Sequence, residues 1–220
     1  NNIGYKHLED FFESVCEIGL ELKDKGYRGL WSIINFGIEA GASQPHPHGQ
    51  AGNKSMMWGF DDDKEVNAIN YVFNRTKRDP FLDYMEIIRN TPHFIWENNK
   101  IFILSPFAPQ VSDQVDIILK DPIKNVTELC GNGNSEYERG VIIDSILGVF
   151  HALYQKRDVR DLNVIIHQSD FYQNNSPYRM HFHIMPRKYK MGGLEVGYKF
   201  YVVSVNPEVT AKAVREHYSS

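Results

Sequence analysis

Residues 35–50 read NFGIEAGASQPHPHGQ, a run of small residues that ends in two histidines separated by a proline. The three glycines of this run permit positive φ angles and close approach of the backbone to a ligand. Small side chains at 40–43 leave backbone N–H groups uncovered, which predicts a concavity for an anion. Pro45 and Pro47 restrict the chain on both sides of His46, so the histidines are held at little entropic cost. For the triplet alone, a proline-rich surface turn with incidental histidines is an equal alternative.

The same order of elements precedes two His-x-His triplets. An amphipathic helix over His7–Lys25 and an apolar strand over Leu30–Phe36 come before the first triplet. A second amphipathic helix over Glu136–Gln155 and a strand over Leu162–His167 come before the second, which lies in a strand over Arg179–Met185. This order is a weak internal repeat with a long period, and it predicts two related α+β halves.

The remaining apolar segments fill the second half. A hairpin is predicted from Phe94–Trp96 and Ile101–Phe107, followed by a strand over Val115–Leu119. A further strand is predicted over Val196–Val205, and a closing helix is predicted over Pro207–His217.

Composition excludes several classes of protein. The 220 residues carry a net charge of −4, so no basic field is available for nucleic acid. No apolar run approaches the roughly 20 residues of a membrane-spanning helix. The two cysteines, Cys16 and Cys130, are distant in sequence and have no CxxC partner. That pattern fits a reducing compartment, hence a cytoplasmic protein, and excludes a disulfide scaffold or a thiolate zinc cluster within this chain.

The pattern Asn-x-Gly…Gly-x-Ser-x-x-His-Pro-His-Gly-Gln over residues 35–50 resembles the active-site signature of the galactose-1-phosphate uridylyltransferases. These enzymes are the transferase branch of the histidine-triad superfamily. A second resemblance covers HFHIMPR and GGLEVGYKFYVVSVNPE, which are similar to the second histidine strand and the hexose-side segment of that family. Together the two resemblances span nearly the whole chain. Complete members have a further N-terminal segment, which we expect to be missing from this sequence.

The resemblance implies an enzyme, a UDP-glucose–hexose-1-phosphate uridylyltransferase of galactose metabolism. It would move UMP between UDP-glucose and galactose 1-phosphate through a covalent uridylyl-histidine intermediate. A neutral imidazole suits this role, because its ordinary pKa of about 6.5 leaves it unprotonated at pH 7. The resemblance makes His48 the nucleophile and Gln50 its catalytic partner. The implied substrate-binding residues are Asn35, Gly41, Ala42, Ser43, Gln50, Gly197 and Tyr198.

Two metal sites are implied as well. His46 is a zinc ligand in the family, and its partners would lie in the missing N-terminal segment. His167, His181 and His183 come from neighbouring predicted strands and form a plausible second site for zinc or iron. Glu65 is the nearest counterpart of a glutamate that completes this site in bacterial members. A purely structural, hydrogen-bonded role is the alternative for the three histidines.

The resulting hypothesis is an α+β protein with tandem histidine-triad-like halves, in which antiparallel half-barrel sheets pack against helices. Residues 1–60 would be the C-terminal part of the first half, 61–78 a crossing linker with room for a short helix, and 79–220 the second half. The expected partners are a nucleotide sugar, a sugar phosphate and a second copy of the chain in a homodimer, with neither nucleic acid nor membrane.

Two other functions remain open at the level of sequence. A phosphorylase acting on ADP-glucose or a dinucleoside polyphosphate would use the same His48. A non-catalytic nucleotide-binding or assembly subunit would have lost its activity. The sugar is open too, because Lys199 stands where the family has an acid that contacts sugar hydroxyls.

Overall fold

The computed structural model describes residues 3–42, 47–54, 61–131, 133–173 and 175–219, with the side chains of 61–63 left aside. No helix in these ranges is both long enough and apolar enough to cross a bilayer. In chain order the main elements are α1 (Tyr5–Asp24), β1 (Leu30–Phe36), β2 (His48–Asn53), α2 (Asp61–Thr76), α3 (Pro80–Arg89), β3 (Phe94–Glu97), β4 (Ile101–Leu104), β5 (Val115–Leu119), α4 (Asn134–Arg157), β6 (Leu162–His167), β7 (His181–Pro186) and α5 (Pro207–Tyr218).

All seven strands form one antiparallel sheet in the order β2-β1-β6-β7-β5-β4-β3. The pairing of β1 with β6, the second and third strands of the sheet, joins the unit α1-β1-β2 to the unit α4-β6-β7. The predicted α+β class, with antiparallel strands and packed helices, is therefore confirmed. The division at residues 60 and 78 stays a prediction, because both parts contribute strands to the same sheet.

One face of the sheet is predominantly apolar and carries the larger core. Alternate residues of the central strands are almost completely buried on this face, where α1 and α4 cover them. Phe12 of α1 meets Phe182 of β7 edge to face, with 6.2 Å between ring centroids. Burying a side chain of this size contributes about 1.5–3 kcal/mol, so this layer supplies most of the hydrophobic stabilisation.

The opposite face is divided into an apolar part and a polar part. Over β4 and β5, α2 and α3 cover it in a second core of eight buried residues: Val66, Phe81, Met85, Ile88, Phe102, Leu104, Ile118 and Tyr178. Over β2, β1, β6 and β7 the same face carries half-buried and polar side chains. We call this polar part the open face.

Three segments differ from the sequence predictions. The supposed linker contains α2, a helix of 16 residues, and α3 follows it with Asp79 as a side-chain N-cap and Pro80 in the first turn. The predicted strand over Val196–Val205 is wrong. The carboxylate of Glu195 accepts N–H bonds from Gly192 and Val202 and folds the segment back on itself, so a helical turn replaces extended backbone.

Candidate active site and metal site

A row of polar side chains crosses the open face at one end of the sheet. His48, the first residue of β2, lies opposite Asn35 of β1, and Asn35 lies opposite Asn163 of β6. Residues paired in this way point to the same face of a sheet, as do residues two apart in a strand. Gln50 therefore shares the open face with His48, and it is exposed. The structure thus brings together the predicted nucleophile, its predicted partner Gln50 and Asn35.

Asn163 connects this row to the loop that follows β1. Its Nδ2 donates to Oδ1 of Asn35 at 2.7 Å and to the carbonyl oxygen of Ala40 at 2.8 Å. The two bonds tie Asn35, which is 7% exposed, and the loop to the second half of the sheet. The sequence analysis missed Asn163, although an amide inside the apolar run LNVIIH was a signal that could have found it.

The glycine-rich loop is built differently from the predicted anion concavity. Gly37 and Gly41 have φ angles of 90° and 79°, and a Cβ on Gly37 would lie 1.9 Å from the carboxylate of Asp161. The backbone N–H groups of Gly41 and Ala42 donate to carbonyl oxygens within the same turn. These two N–H groups are therefore not available for an anion, because they form the hydrogen bonds of the turn itself. A substrate contact through these two residues stays a prediction.

Four predicted residues lie away from this row or outside the described ranges. Ser43 and His46 belong to the residues that the structure does not describe, so their predicted roles stay predictions. Gly197 and Tyr198 lie within 187–205, a segment that we call the apolar arm. Tyr198 is 74% exposed, and most of its large apolar neighbours in the arm are exposed too.

Residue 49 has to be glycine because of the helix that packs behind β2. It points away from the open face, and a Cβ there would lie 2.1 Å from two ring atoms of Phe11 on α1. Two carbon atoms cannot approach so closely, so any larger residue would push β2 away from α1. The position of His48 at the start of β2 therefore depends on the glycine that follows it.

Three histidines meet at the opposite end of the central strands. His167 ends β6, and it pairs directly with His181, the first residue of β7. His183 is two residues further along β7 on the same face. One nitrogen from each imidazole lies within 4.8 Å of the others, and the rings of His167 and His181 are stacked 4.8 Å apart. The predicted cluster is therefore assembled.

Glu65 of α2 reaches the same cluster. Its Oε2 lies 3.4 Å from Nε2 of His181 and accepts a hydrogen bond from the hydroxyl of Tyr178 at 3.0 Å. Nδ1 of His181 donates to the carbonyl oxygen of Arg179 at 3.1 Å, which leaves Nε2, on the side of Glu65, as the nitrogen that can bind a metal ion. Such an outer contact orients an imidazole for metal binding.

Asp116 is a second carboxylate beside the cluster, and the sequence analysis missed it. Its Oδ2 lies 3.7 Å from Nε2 of His183, and Nε2 of Gln114 donates to its Oδ1 at 2.8 Å. Burial raises the pKa of Asp116 to about 7 against the opposing effect of the Gln114 bond. Burial and the neighbouring His167 and His181 hold the pKa of His183 well below 6.5. An acid inside the apolar strand VDIIL was the available signal.

The donor set fits a transition metal. Three imidazoles with a nearby carboxylate are ligands that zinc and iron both accept, and His183 is neutral at physiological pH, as a ligand must be. The cluster and the row at His48 share the open face. They are separated by the four residue steps from Asn163 to His167, or roughly 13 Å along β6.

The fold is that of the uridylyltransferases. One solved uridylyltransferase mutant superposes with a TM-score of 0.83 at 18% identity, over 99% of this chain and 72% of its own. An ADP-glucose phosphorylase from Arabidopsis thaliana with bound ADP-glucose gives a TM-score of 0.80 at 20% identity, over 97% of this chain and 68% of its own.

The sequence is similar to a particular relative as well. The galactose-1-phosphate uridylyltransferase of Thermotoga maritima is 23% identical over 227 aligned residues, which cover 96% of this chain and 67% of that protein. No protein-family model matches the chain. The resemblance to galactose-1-phosphate uridylyltransferases that the motifs predict is thus confirmed.

Proposed function

We propose that this chain carries the catalytic histidine of a nucleotidyltransferase, and that His48 takes up a nucleoside monophosphate. The observation that carries the proposal is the row of His48, Asn35 and Asn163 on the open face of a uridylyltransferase fold. His48 is half-buried and not enclosed by the described residues, so a phosphate ester can reach an imidazole placed there among amide groups. A histidine with a purely structural role has no need of such a row.

The reaction is a double displacement at phosphorus. An imidazole nitrogen of His48 attacks the α-phosphorus of the nucleotide sugar, a P–N bond forms and the bond to the bridging oxygen breaks. The hexose 1-phosphate leaves with the electron pair of that bond. A second hexose 1-phosphate then attacks the nucleotidyl-histidine, and the P–N bond breaks to restore the imidazole.

The groups around His48 would stabilise negative charge on the phosphoryl group and hold the substrate in position. The amide N–H of Gln50 donates to a non-bridging oxygen of the transferred phosphoryl group, where negative charge accumulates. Asn35, held by Asn163, contacts phosphate or ribose. Ser43, Gly41 and Ala42 contact the phosphate chain.

UDP-glucose and galactose 1-phosphate are the substrates we favour, because the motif of residues 35–50 and the Thermotoga relative agree on this class. ADP-glucose phosphorolysis is a second candidate, since the plant ADP-glucose phosphorylase superposes nearly as well as the uridylyltransferase mutant. In that reaction inorganic phosphate replaces the second sugar phosphate. Lys199 in place of an acid favours a change on the sugar side.

The histidine cluster is proposed as a resident metal site, with His167, His181, His183 and Glu65 as ligands. A zinc or iron ion bound there would link β6, β7 and α2, since these three elements supply the four side chains. At roughly 13 Å from the row at His48, its contribution is to the stability of the sheet rather than to the transferred group. Zinc at His46 is proposed separately, with partners outside this sequence.

A cytoplasmic homodimer is the proposed state. The apolar arm exposes more large apolar side chains than a single soluble surface ordinarily does, and such patches mark interfaces. A second copy would cover it and bring Gly197 and Tyr198 to a sugar. The exposed residues are Tyr189, Met191, Leu194, Val196, Tyr198, Phe200, Tyr201 and Val202.

The test is covalent labelling of the full-length enzyme. It is incubated separately with UDP-glucose and with ADP-glucose, and the adduct is mapped by mass spectrometry. We expect one uridylyl group on His48, no adduct in His48→Gln, and normal labelling of His151→Gln, which changes an exposed histidine on α4. Galactose 1-phosphate or inorganic phosphate is then added to discharge the label.

Each outcome identifies a function. Discharge by galactose 1-phosphate supports the uridylyltransferase, and an adenylyl adduct discharged only by phosphate supports the phosphorylase. Turnover without any adduct on His48 would overturn the covalent route. Tight nucleotide-sugar binding with neither adduct nor turnover would identify a non-catalytic subunit.

A further inference from the structure

The two cysteines, distant in the sequence, are neighbours in the fold. Cys16 on α1 has its Sγ 3.6 Å from the carbonyl oxygen of Val126, and Cys130 has its Sγ 3.3 Å from the same oxygen. The two thiols are also close enough for each to shift the pKa of the other. Two sulfur atoms that share one acceptor lie on the same side of the packed segment, and a rearrangement of their side chains could bring them to the bond length of a disulfide.

The two thiols have different surroundings, and the difference gives them separate roles. Cys16 is buried against the core, whereas Cys130 is half-buried and precedes the loop that leads into α4. Arg139 donates to the carbonyl oxygens of Leu129 and Gly131, on either side of Cys130. The neighbouring Cys16 and the charge of Arg139 lower the pKa of the Cys130 thiol, whereas the neighbouring Cys130 and burial raise the pKa of the Cys16 thiol. A thiolate next to a cation and near solvent is the more reactive of such a pair.

We propose that Cys16 and Cys130 are a dithiol site that a diffusible disulfide, such as oxidised glutathione, converts into an intramolecular disulfide. The Cys130 thiolate attacks one sulfur of the small disulfide, whose S–S bond breaks and releases one thiol. Cys16 then loses its proton and attacks Sγ of Cys130, and the second small thiol leaves. Two cysteine thiols are oxidised, and one small disulfide is reduced to two thiols.

The link would tie the middle of α1 to the segment before α4. At Gly19, one turn after Cys16, a Cβ would lie 3.0 Å from the side chain of Val126, so α1 already lies close to that segment. The same helix carries Phe11, which packs on Gly49 beside His48. Oxidation would therefore restrain the helix that supports β2. Because the bond closes a long loop, we expect it to raise Tm by several degrees.

The test equilibrates the full chain with glutathione buffers of increasing oxidised fraction, followed by acid quenching and alkylation. We expect the wild-type protein to lose both alkylatable thiols together and two hydrogen atoms in intact mass. Peptide mapping should give a Cys16–Cys130 crosslink, and Tm should rise in the same buffers. Dithiothreitol should reverse all three changes.

Single variants test the order of attack. Cys16→Ser should retain one glutathione on Cys130, because nothing is left to displace it, while Cys130→Ser should leave the thiol of Cys16 unmodified. Wild-type protein that keeps two free thiols in fully oxidised buffer, or that accumulates glutathione on Cys130, would overturn the proposal. The wild-type mass decides this even where a variant does not fold. The result is independent of nucleotidyl transfer, since no substrate is present.

Discussion

The Nδ2 atom of Asn163 lies 2.7 Å from Oδ1 of Asn35, and this contact crosses the seam between the two halves of the sheet. Asn35 opens the segment that ends in His48 and Gln50, whereas Asn163 belongs to the strand that ends in His167. The site proposed for nucleotidyl transfer is therefore held partly by the half of the chain that carries the histidine cluster.

Asn163→Ala should slow nucleotidyl transfer because it removes the hydrogen bond that holds Asn35, and not only because it lowers the stability of the protein. We expect kcat/KM to fall about tenfold and the free energy of unfolding to fall by about 1–2 kcal/mol, because a buried acceptor on Asn35 loses its donor. The measurement is a double-mutant cycle with Asn35→Ala in both assays. Additive effects in the cycle would contradict the coupling. Asn67→Ala, at an exposed position of α2, is the control.

Gly49→Ala should displace β2 from α1. The added carbon would meet Phe11 at 2.1 Å, so we expect a loss of about 1–3 kcal/mol in urea unfolding. Gly193→Ala is the matched control, since no atom lies within 4 Å of its Cβ and its φ is −63°. Adding Phe11→Ala to Gly49→Ala should restore part of the lost free energy of unfolding, because the ring that the new carbon meets is removed. A Gly49→Ala protein as stable as wild type would mean that β2 and Phe11 are not in contact.

Metal content should depend on the cluster residues. We expect full-length protein purified without chelator to carry zinc or iron, and His183→Gln to lose most of it because one of three imidazole donors is removed. Glu65→Gln should bind at least tenfold more weakly, and His151→Gln should match wild type. Elemental analysis and titration of chelated protein measure this. Equal metal content in His183→Gln and wild type would exclude the site.

In protein from which the metal has been removed by a chelator, two buried groups should make the free energy of unfolding depend on pH. Their effects on stability have opposite directions. His183 has a lowered pKa, so below pH 6.5 the unfolded chain gains a proton that the folded chain does not, and the free energy of unfolding falls by up to about 1.4 kcal/mol per pH unit. Asp116 has a raised pKa, and its contribution grows as pH falls from about 7 towards about 4.

Two variants separate these contributions in urea unfolding between about pH 7 and pH 4.5. His183→Gln should lose stability less steeply below pH 6.5 than wild type. Asp116→Asn should lose it more steeply, because the stabilising proton uptake is gone. Parallel curves for all three proteins would show that neither group is shifted.

The sequence predicted the elements whose pattern is local. The strands Leu30–Phe36 and Leu162–His167 have the predicted bounds, and the alternation in the second triplet places His181 and His183 on one face, as observed. Side-chain period and strand direction alone determine such a result. The cluster with His167 follows from the pairing of two neighbouring strands.

What the sequence could not predict depends on contacts between distant segments. Val196–Val205 has the valine-rich and aromatic composition of a strand, but the hydrogen bonds that the Glu195 carboxylate accepts from Gly192 and Val202 override it. Asp116 and Asn163 each look like an isolated polar residue in an apolar strand until the register places them beside His183 and Asn35. The contact between Cys16 and Cys130 likewise needs the packing of α1.

The antiparallel seam between β1 and β6 has a consequence for how the two repeats differ. In each repeat, a residue at the end of one strand faces the first residue of the next strand: Asn35 faces His48, and His167 faces His181. An amide beside an imidazole suits an anion, whereas two imidazoles suit a cation. Because the seam runs antiparallel, these equivalent corners lie at opposite ends of the same surface. The two corners can thus bind ligands of opposite charge without sharing a pocket, one an anion and the other a metal ion.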